Sequence, residues 1–216
     1  MTLLPTPSLI PPARRGRPRQ ATKVKLDQLL AGAAEVIANR GFEGATIRDV
    51  ADRVGVSLAG TYYYFTSKEH LLFQIQRRTF ASLLEAQTTN AADGPAAERL
   101  QRLITGHLGF FADHPNEMKV CTFELDSLTG APYRNVLELR RRYYRLMESV
   151  VALVMASGRK GRPTARGRQA TLSLFGMLNW AFMWYDRSKD GSVGELGDQM
   201  THLFLNGILP PQERDR

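Results

Sequence analysis

The stretch TIRDVADRVGVSLAGTYYYF, Thr46 to Phe65, decides the fold. Its first half spaces Ile47, Val50, Ala51 and Val54 by three and four, which is one face of a short amphipathic helix. Thr46 stands where an N-cap oxygen satisfies the first free backbone donors. Gly55 stands where a helix stops and the chain turns left-handed. Val56 then plugs the angle between two helices, and Ser57 caps a second one over Leu58 to Tyr64. Two small residues, Ala59 and Gly60, precede Thr61 on that helix, so its outer surface can approach a major groove closely. The pattern predicts a helix-turn-helix. A plain helical hairpin within a bundle is the alternative, but Tyr62, Tyr63 and Tyr64 in a row cannot all face one core.

The flanks extend this reading. A preceding helix, from about Lys23 to Arg40, repeats Leu26, Leu29, Leu30, Ala33, Val36 and Ile37 at helical spacing and ends at Gly41. After Phe65, Thr66 and Glu69 fit a capping box that opens a long helix through Leu71, Leu72, Ile75, Phe80, Leu83 and Leu84. Arg40-Gly41-Phe42, Thr46 to Ala51, Gly55-Val56-Ser57, Tyr62-x-Tyr64-Phe65 and Ser67-Lys68-Glu69-x-Leu71-Leu72 together resemble the TetR family of bacterial repressors. The resemblance covers residues 23 to 72. One departure is Leu58, where members often carry a basic residue soon after the capping serine. The resemblance implies an all-α chain of about nine helices: a three-helix DNA-binding head and a larger helical body for ligand binding and dimerisation. The expected boundaries are 1–22 for a disordered basic arm, 23–69 for the head, 70–210 for the body and 211–216 for a flexible tail.

Charge is placed unevenly. The 216 residues carry a net charge of +8, but residues 1–25 hold Arg14, Arg15, Arg17, Arg19, Lys23 and Lys25 without one acid, and a second basic block spans 133–168. Such clusters favour polyanions. Prolines at 5, 7, 11 and 12 interrupt the arm, and Arg15 precedes, with Arg17 inside, a Gly16-Arg17-Pro18 hook of the kind that lies in an A·T-rich minor groove. A plain electrostatic tail explains them equally well. The start has no charged n-region, no apolar run reaches the length of a membrane helix, and the single Cys121 excludes an internal disulfide. These features predict a cytoplasmic protein, on the nucleoid when it holds its operator, with no membrane partner.

The body begins after the break at Asp93-Gly94-Pro95. A helix to Asp113 has Leu100, Leu103, Ile104, His107, Leu108 and Phe111 as its apolar side. A shorter one is expected over Glu117 to Ser127, and a long one from Tyr133 to about Ser157 buries Val136, Leu139, Tyr143, Leu146, Met147, Val150 and Val154. The loop Gly158 to Pro163 reads as a solvated connector before a helix from Thr164 to Arg187, apolar nearly all round from Trp180 to Tyr185 and therefore expected to be covered on both sides. Ser192 and Glu195 cap the last helix, Val193 to Gly207. The family resemblance implies that the last two long helices form the homodimer interface.

Enzyme chemistry finds no foothold. His70, His107, His114 and His202 are scattered, no glycine loop cradles a phosphate, and Cys121 reads as a buried structural thiol. No catalytic residue, metal or cofactor is expected. The resemblance instead implies a ligand-responsive repressor on a palindromic double-stranded operator. A DNA-binding activator is one alternative, and a nucleoid protein without an effector is the other, the latter disfavoured by the large body. Thr46, Tyr62, Tyr63 and Lys68 are expected at phosphates, Leu58, Ala59, Gly60 and Thr61 near base edges, and Ser57 in the same DNA-binding set. Phe73, Phe110, Phe111, Phe123, Leu128, Tyr143, Met147, Phe175, Trp180 and Trp184 are the expected cavity lining, although helical spacing would place most of them in any core. Arg134, Arg140, Arg141, Arg142 and Arg145 fan around their helix, so at least one, Arg140 foremost, is expected at the edge of the cavity. An apolar cavity with an arginine rim suits an acyl chain and an anionic head, so an acyl-CoA thioester is the first candidate effector and a planar aromatic or drug-like compound the second.

Overall fold

The computed structural model describes residues 19–156 and 164–208, with side chains from Lys25 onward. Arg15 and Arg17, with residues 1–18 of the arm, the basic loop and the tail, lie outside the described residues, while residues 19–22, expected as the end of a disordered arm, already belong to the first helix. Among those described there is helix and no strand.

The head is α1 (Arg19–Gly44), α2 (Ile47–Val54) and α3 (Leu58–Tyr62). Gly41 does interrupt α1, with φ at 72° and ψ at 163°, but one further helical turn follows before Ala45. Gly55 ends α2 in the left-handed region at φ 71°, ψ 37°, and its N–H reaches back to the carbonyls of Ala51 and Asp52. Leu29, Ala33, Ile37, Phe42, Ile47, Val50 and Phe65 close the head's core. α4 (Lys68–Asn90) leaves it. Its cap is Ser67, whose hydroxyl accepts from His70 N–H, not the Thr66–Glu69 box that the spacing suggested.

Along its buried side α4 packs against α5 (Ala96–Asp113), α6 (Pro115–Phe123) and α7 (Gly130–Met155). The six apolar positions expected on α5 are all buried. α6 is shorter than expected, since the chain tightens to a 3-10 turn at Leu125–Ser127. α7 starts three residues early, because Gly130-Ala131-Pro132 forms its first turn, where a proline sacrifices no helix hydrogen bond. α8 (Ala165–Trp180) lies on α7, and α10 (Val193–Ile208) on α5. Ser192 and Glu195 close the expected reciprocal cap of α10, with Ser192 N–H donating to Glu195 Oε2 at 2.7 Å and Glu195 N–H to Ser192 Oγ at 3.2 Å.

The expected helix from Thr164 to Arg187 is divided. After Trp180 the chain winds into a 3-10 turn, Ala181–Met183, and then a four-residue helix, α9 (Arg187–Asp190), capped by Asp186. That raises the number of α-helices among the described residues to ten. The tighter turn buries Ala181 and leans Phe182 and Tyr185 on the core, so the apolar run is covered on one side, and Trp180, Met183 and Trp184 are exposed.

Candidate DNA-reading head and effector cavity

In the head, short-range hydrogen bonds fix the polar geometry. Thr46 and Asp49 cap α2 reciprocally: Asp49 N–H donates to Thr46 Oγ1 at 3.1 Å, and Thr46 N–H to Asp49 Oδ2 at 2.9 Å. The other carboxylate oxygen accepts from Arg40 Nη1 at 2.6 Å. The Thr46 hydroxyl and backbone, ahead of Arg40, hold the Asp49 carboxyl below its usual range. Ser57 Oγ accepts from Gly60 N–H at 3.0 Å and starts α3.

This arrangement turns Thr46, Ser57, Ala59, Tyr62 and Tyr63 outward, with Leu58 and Gly60 half-buried. Tyr64 packs its ring edge-on to Tyr63 at 5.1 Å and leans on the core. Two expectations fail. Thr61 is fully buried and its hydroxyl donates to Ser57 O at 3.4 Å, so it cannot approach base edges. Being one turn before Phe65 on a five-residue helix, it shares that residue's inward face. Lys68 is turned away from solvent: its Nζ donates to Phe42 O at 2.8 Å and sits 4.3 Å from the centre of the Phe42 ring. There it neutralises the carbonyl end of α1 and stacks on an aromatic face, which replaces the expected phosphate contact.

In the body, α4, α5, α6, α7 and α8 enclose a cavity of about 310 Å³. Phe80 and Leu83 come from α4, His107 from α5, and Met118, Cys121 and Thr122 from α6. α7 supplies Arg140, Arg141, Tyr143 and Tyr144, and α8 supplies Leu172, Phe175 and Asn179. Of the expected lining, the structure brings Arg140, Tyr143 and Phe175 together here. Phe111 is one layer back, its ring stacked on His107 at 4.6 Å, and faces a second cavity with Phe182 and Leu196.

The remaining expected residues do not line the first cavity. Leu128 and Met147 are filled core. Phe73 packs at the surface under Arg77, and Phe110 against His114. Phe123, Trp180 and Trp184 are 54%, 58% and 48% exposed, because α6 ends at Phe123 and α8 at Trp180, which frees those side chains from the interior.

Arg140 enters the cavity wall as expected. Its Nη1 donates to Cys121 O at 3.0 Å and its guanidinium lies 5.4 Å from the centre of the Phe80 ring. Burial pulls its pKa down, yet a guanidinium stays charged. Arg141 reaches the exposed edge. Arg134, Arg142 and Arg145 are solvated, Arg145 pairing with Glu138 at 2.6 Å. Cys121 has its thiol pushed up to about 12 by burial, with Arg140 working weakly the other way, so it is no nucleophile.

Sequence reasoning missed Phe80, Leu83, His107, Met118, Cys121, Thr122, Tyr144, Leu172 and Asn179 as lining. The usable signal was spacing: Met118, Cys121 and Thr122, and likewise Leu172, Phe175 and Asn179, fall on single helix faces. Glu124 was missed too. Immediately beyond the cavity helix α6, its Oε1 accepts from Phe42 N–H in the head at 3.1 Å and its Oε2 from Ser127 Oγ at 2.9 Å. Its carbonyl accepts from Gln76 on α4 at 2.8 Å. The wall of the cavity is thus hydrogen-bonded to the kinked end of α1.

Known proteins match both regions. Residues 29–75 fit the model "Bacterial regulatory proteins, tetR family", and residues 93–208, more than half of the chain, fit "Tetracyclin repressor-like, C-terminal domain". The fatty acid metabolism regulator protein of Bacillus subtilis is 22% identical over 85% of this chain and 95% of its own length. The HTH-type transcriptional repressor KstR2 of Mycobacterium tuberculosis is 30% identical over 56% of this chain and 60% of its own. The solved structure of AibR in complex with isovaleryl coenzyme A and operator DNA superposes with a TM-score of 0.73 at 22% identity, covering 83% of this chain and 97% of that one. No helix among the described residues is long and apolar enough to cross a membrane. The chain belongs to the TetR family: it is not an enzyme but a ligand-responsive transcriptional repressor that binds operator DNA as a dimer.

Proposed function

We propose that the effector is an acyl-CoA thioester or a related lipid acid, seated in the 310 Å³ cavity with its acyl chain against Phe80, Leu83, Met118 and Phe175. The carrying observation is the pairing of this apolar interior with Arg140 in its wall and Arg141 at its exposed edge, where an anionic phosphate head gains charge-assisted hydrogen bonds. The names of AibR's ligand and of the Bacillus subtilis regulator support the same chemical class. In this reading the outward Ser57, Ala59, Tyr62 and Tyr63 meet the operator, with Thr46 at a phosphate and Leu58 and Gly60 allowing close approach. The second protomer covers α8, the turn that follows it and α10, where Leu172, Trp180, Met183, Trp184 and Leu203 expose large apolar side chains. The repressor then works in the bacterial cytoplasm at the nucleoid.

Calorimetric titration of the purified dimer with acyl-CoA thioesters and the free acids tests the effector, followed by operator affinity with and without the ligand that binds. A thioester that binds and weakens operator affinity is expected. The reading is wrong if none binds, or if binding leaves the operator affinity unchanged.

A further inference from the structure

Deep in the same cavity lies a polar pair that an all-hydrocarbon chain would leave unsatisfied. His107 is 1% exposed, and its Nδ1 is 2.7 Å from the hydroxyl of Tyr143, itself 3% exposed. The imidazole is held edge and face by aromatic rings: Phe111 stacks on it at 4.6 Å, and Phe175 meets it edge-on at 6.2 Å. Its other nitrogen, Nε2, has no hydrogen-bond partner, although the ring lines the cavity. Buried polar atoms without a partner are uncommon and costly, and one that borders a cavity marks where a ligand or a water completes the bonding. Burial pushes the His107 pKa down to about 3, against the weaker pull of the Asn179 side chain, which approaches the ring as a loose hydrogen-bond partner without reaching full hydrogen-bond geometry to Nε2. The ring is therefore neutral, with a single N–H shared between two sides. When Tyr143 O–H donates to Nδ1, that N–H sits on Nε2, on the part of the ring nearest Asn179, which lines the cavity with it. With no positive charge on the ring, this end of the cavity favours an uncharged acceptor over a carboxylate. The charged side chains of the lining, Arg140 and Arg141, both come from α7, and Arg140 is already engaged by the Cys121 carbonyl and the Phe80 face.

We propose that this end of the cavity binds an uncharged oxygen, a keto or hydroxyl group on the buried part of an otherwise apolar effector, with His107 Nε2 as donor and the Asn179 amide beside it. The proposal rests on the cavity being the effector site, and narrows the effector from an acyl group in general to an oxygen-bearing one. A saturated chain of the same length leaves Nε2 facing methylene groups, whereas a keto or hydroxyl oxygen at the right depth pairs with it. Loss of one such buried partner corresponds to about tenfold in affinity. Asn179 on α8 adds a second donor whose side chain can turn to the same oxygen.

The test uses the full-length dimer and matched ligands: one saturated straight-chain acyl-CoA, and its keto and hydroxy counterparts of the same length substituted at successive positions along the chain. Calorimetry is expected to show one substituted thioester binding about tenfold or more tightly than the saturated one. In His107→Phe, which keeps an aromatic ring in the stack, the ratio of substituted to saturated affinity falls to about one, whatever the absolute affinity of the saturated thioester. Asn179→Leu reduces the preference without abolishing it. A wild-type dimer that binds saturated and substituted thioesters equally overturns the proposal and assigns Nε2 to a buried water. A preference that survives His107→Phe overturns it as well. If no thioester binds at all, the acyl-CoA reading fails by itself. Simple ketones and alcohols of similar bulk, lacking coenzyme A, then decide the oxygen site, which stands if they bind in a His107-dependent way and falls if they do not.

Discussion

The caps of the reading helices and the lining of the cavity solve the same problem, holding polar groups in place, over very different lengths of chain. In the head the fixing bonds span three residues for Thr46 with Asp49 and for Ser57 with Gly60, and nine for Arg40 with Asp49. In the body, His107 meets Tyr143 across 36 residues and Arg140 meets Cys121 across 19, and the bond from Phe42 to Glu124 that joins the two regions spans 82. Local bonds make a rigid reading surface that needs little from the rest of the chain. Distant bonds make a cavity whose shape depends on how five helices settle, which is what a site meant to respond to a ligand requires.

The sharpest way to break this comparison is to empty the head's core. Phe65 is 1% exposed, and Phe65→Ala should cost about 3–5 kcal/mol of local stability. Operator binding should be lost in gel shifts, while calorimetry still detects effector binding in the body. If effector binding disappears as well, the two regions fold as one unit and the separation drawn here is wrong.

Next in size is the reading surface itself. Tyr62 and Tyr63 are half exposed and spend little of their area on the core. Tyr62→Ala should weaken operator binding about tenfold, the scale of one hydrogen bond to a charged phosphate, and leave the melting temperature within a degree or two. A marked fall in melting temperature instead would place the ring in the packing of the head.

The same contrast explains what could be read from the chain alone. The caps at Thr46, Ser57 and Ser192, the left-handed Gly55 and the apolar faces of α4 and α5 are local properties and were legible, whereas the cap of α4 was expected at Thr66 and is Ser67. Thr61 and Lys68 were misread because their partners, the head core and the Phe42 carbonyl, are tertiary. The aromatic residues failed for a related reason. Helical spacing says that Met147 and Trp180 belong to apolar faces, but whether a face meets core, cavity or solvent depends on where α8 stops. His107 stood on the expected apolar stripe of α5, yet its meaning appears only once Tyr143 is opposite.

Acid should distinguish the regions in turn. Above pH 6.5, the ordinary value for histidine, His107 is neutral both folded and unfolded, and its burial carries no pH-dependent penalty. Below that, the unfolded chain takes up a proton that the folded site refuses until about pH 3, so stability falls with pH across this window. The loss is on the order of 1 kcal/mol per pH unit once below about pH 6. Urea unfolding at pH 7.5 and 5.5 should show this slope in the wild type, and a slope shallower by about one proton in His107→Phe. Equal slopes in the two proteins would mean that the ring is hydrated and titrates normally.

The smallest expected effect is the most informative, because it falls on the bond between the two regions. Glu124 follows the last residue of α6, the helix that brings Met118, Cys121 and Thr122 to the cavity, and its carboxylate accepts from Phe42 N–H beside the positive-φ Gly41. A ligand that shifts α6 displaces that acceptor. The Phe42 carbonyl in turn holds Lys68, the first residue of α4, so the displacement reaches the junction of α1 and α4 behind the reading helix. Glu124→Gln keeps size and one oxygen acceptor but removes the charge, so folding should change by no more than about 1 kcal/mol and effector affinity in the absence of DNA should stay within about twofold. The coupling should fall severalfold. By reciprocity it can be read from either side, as the loss of operator affinity caused by effector or the loss of effector affinity caused by operator. Both ratios, measured by fluorescence anisotropy and calorimetry on the same variant, should decrease together. If both remain at the wild-type value, the signal travels along α4 alone, and the Glu124 contact serves only to hold the end of α1.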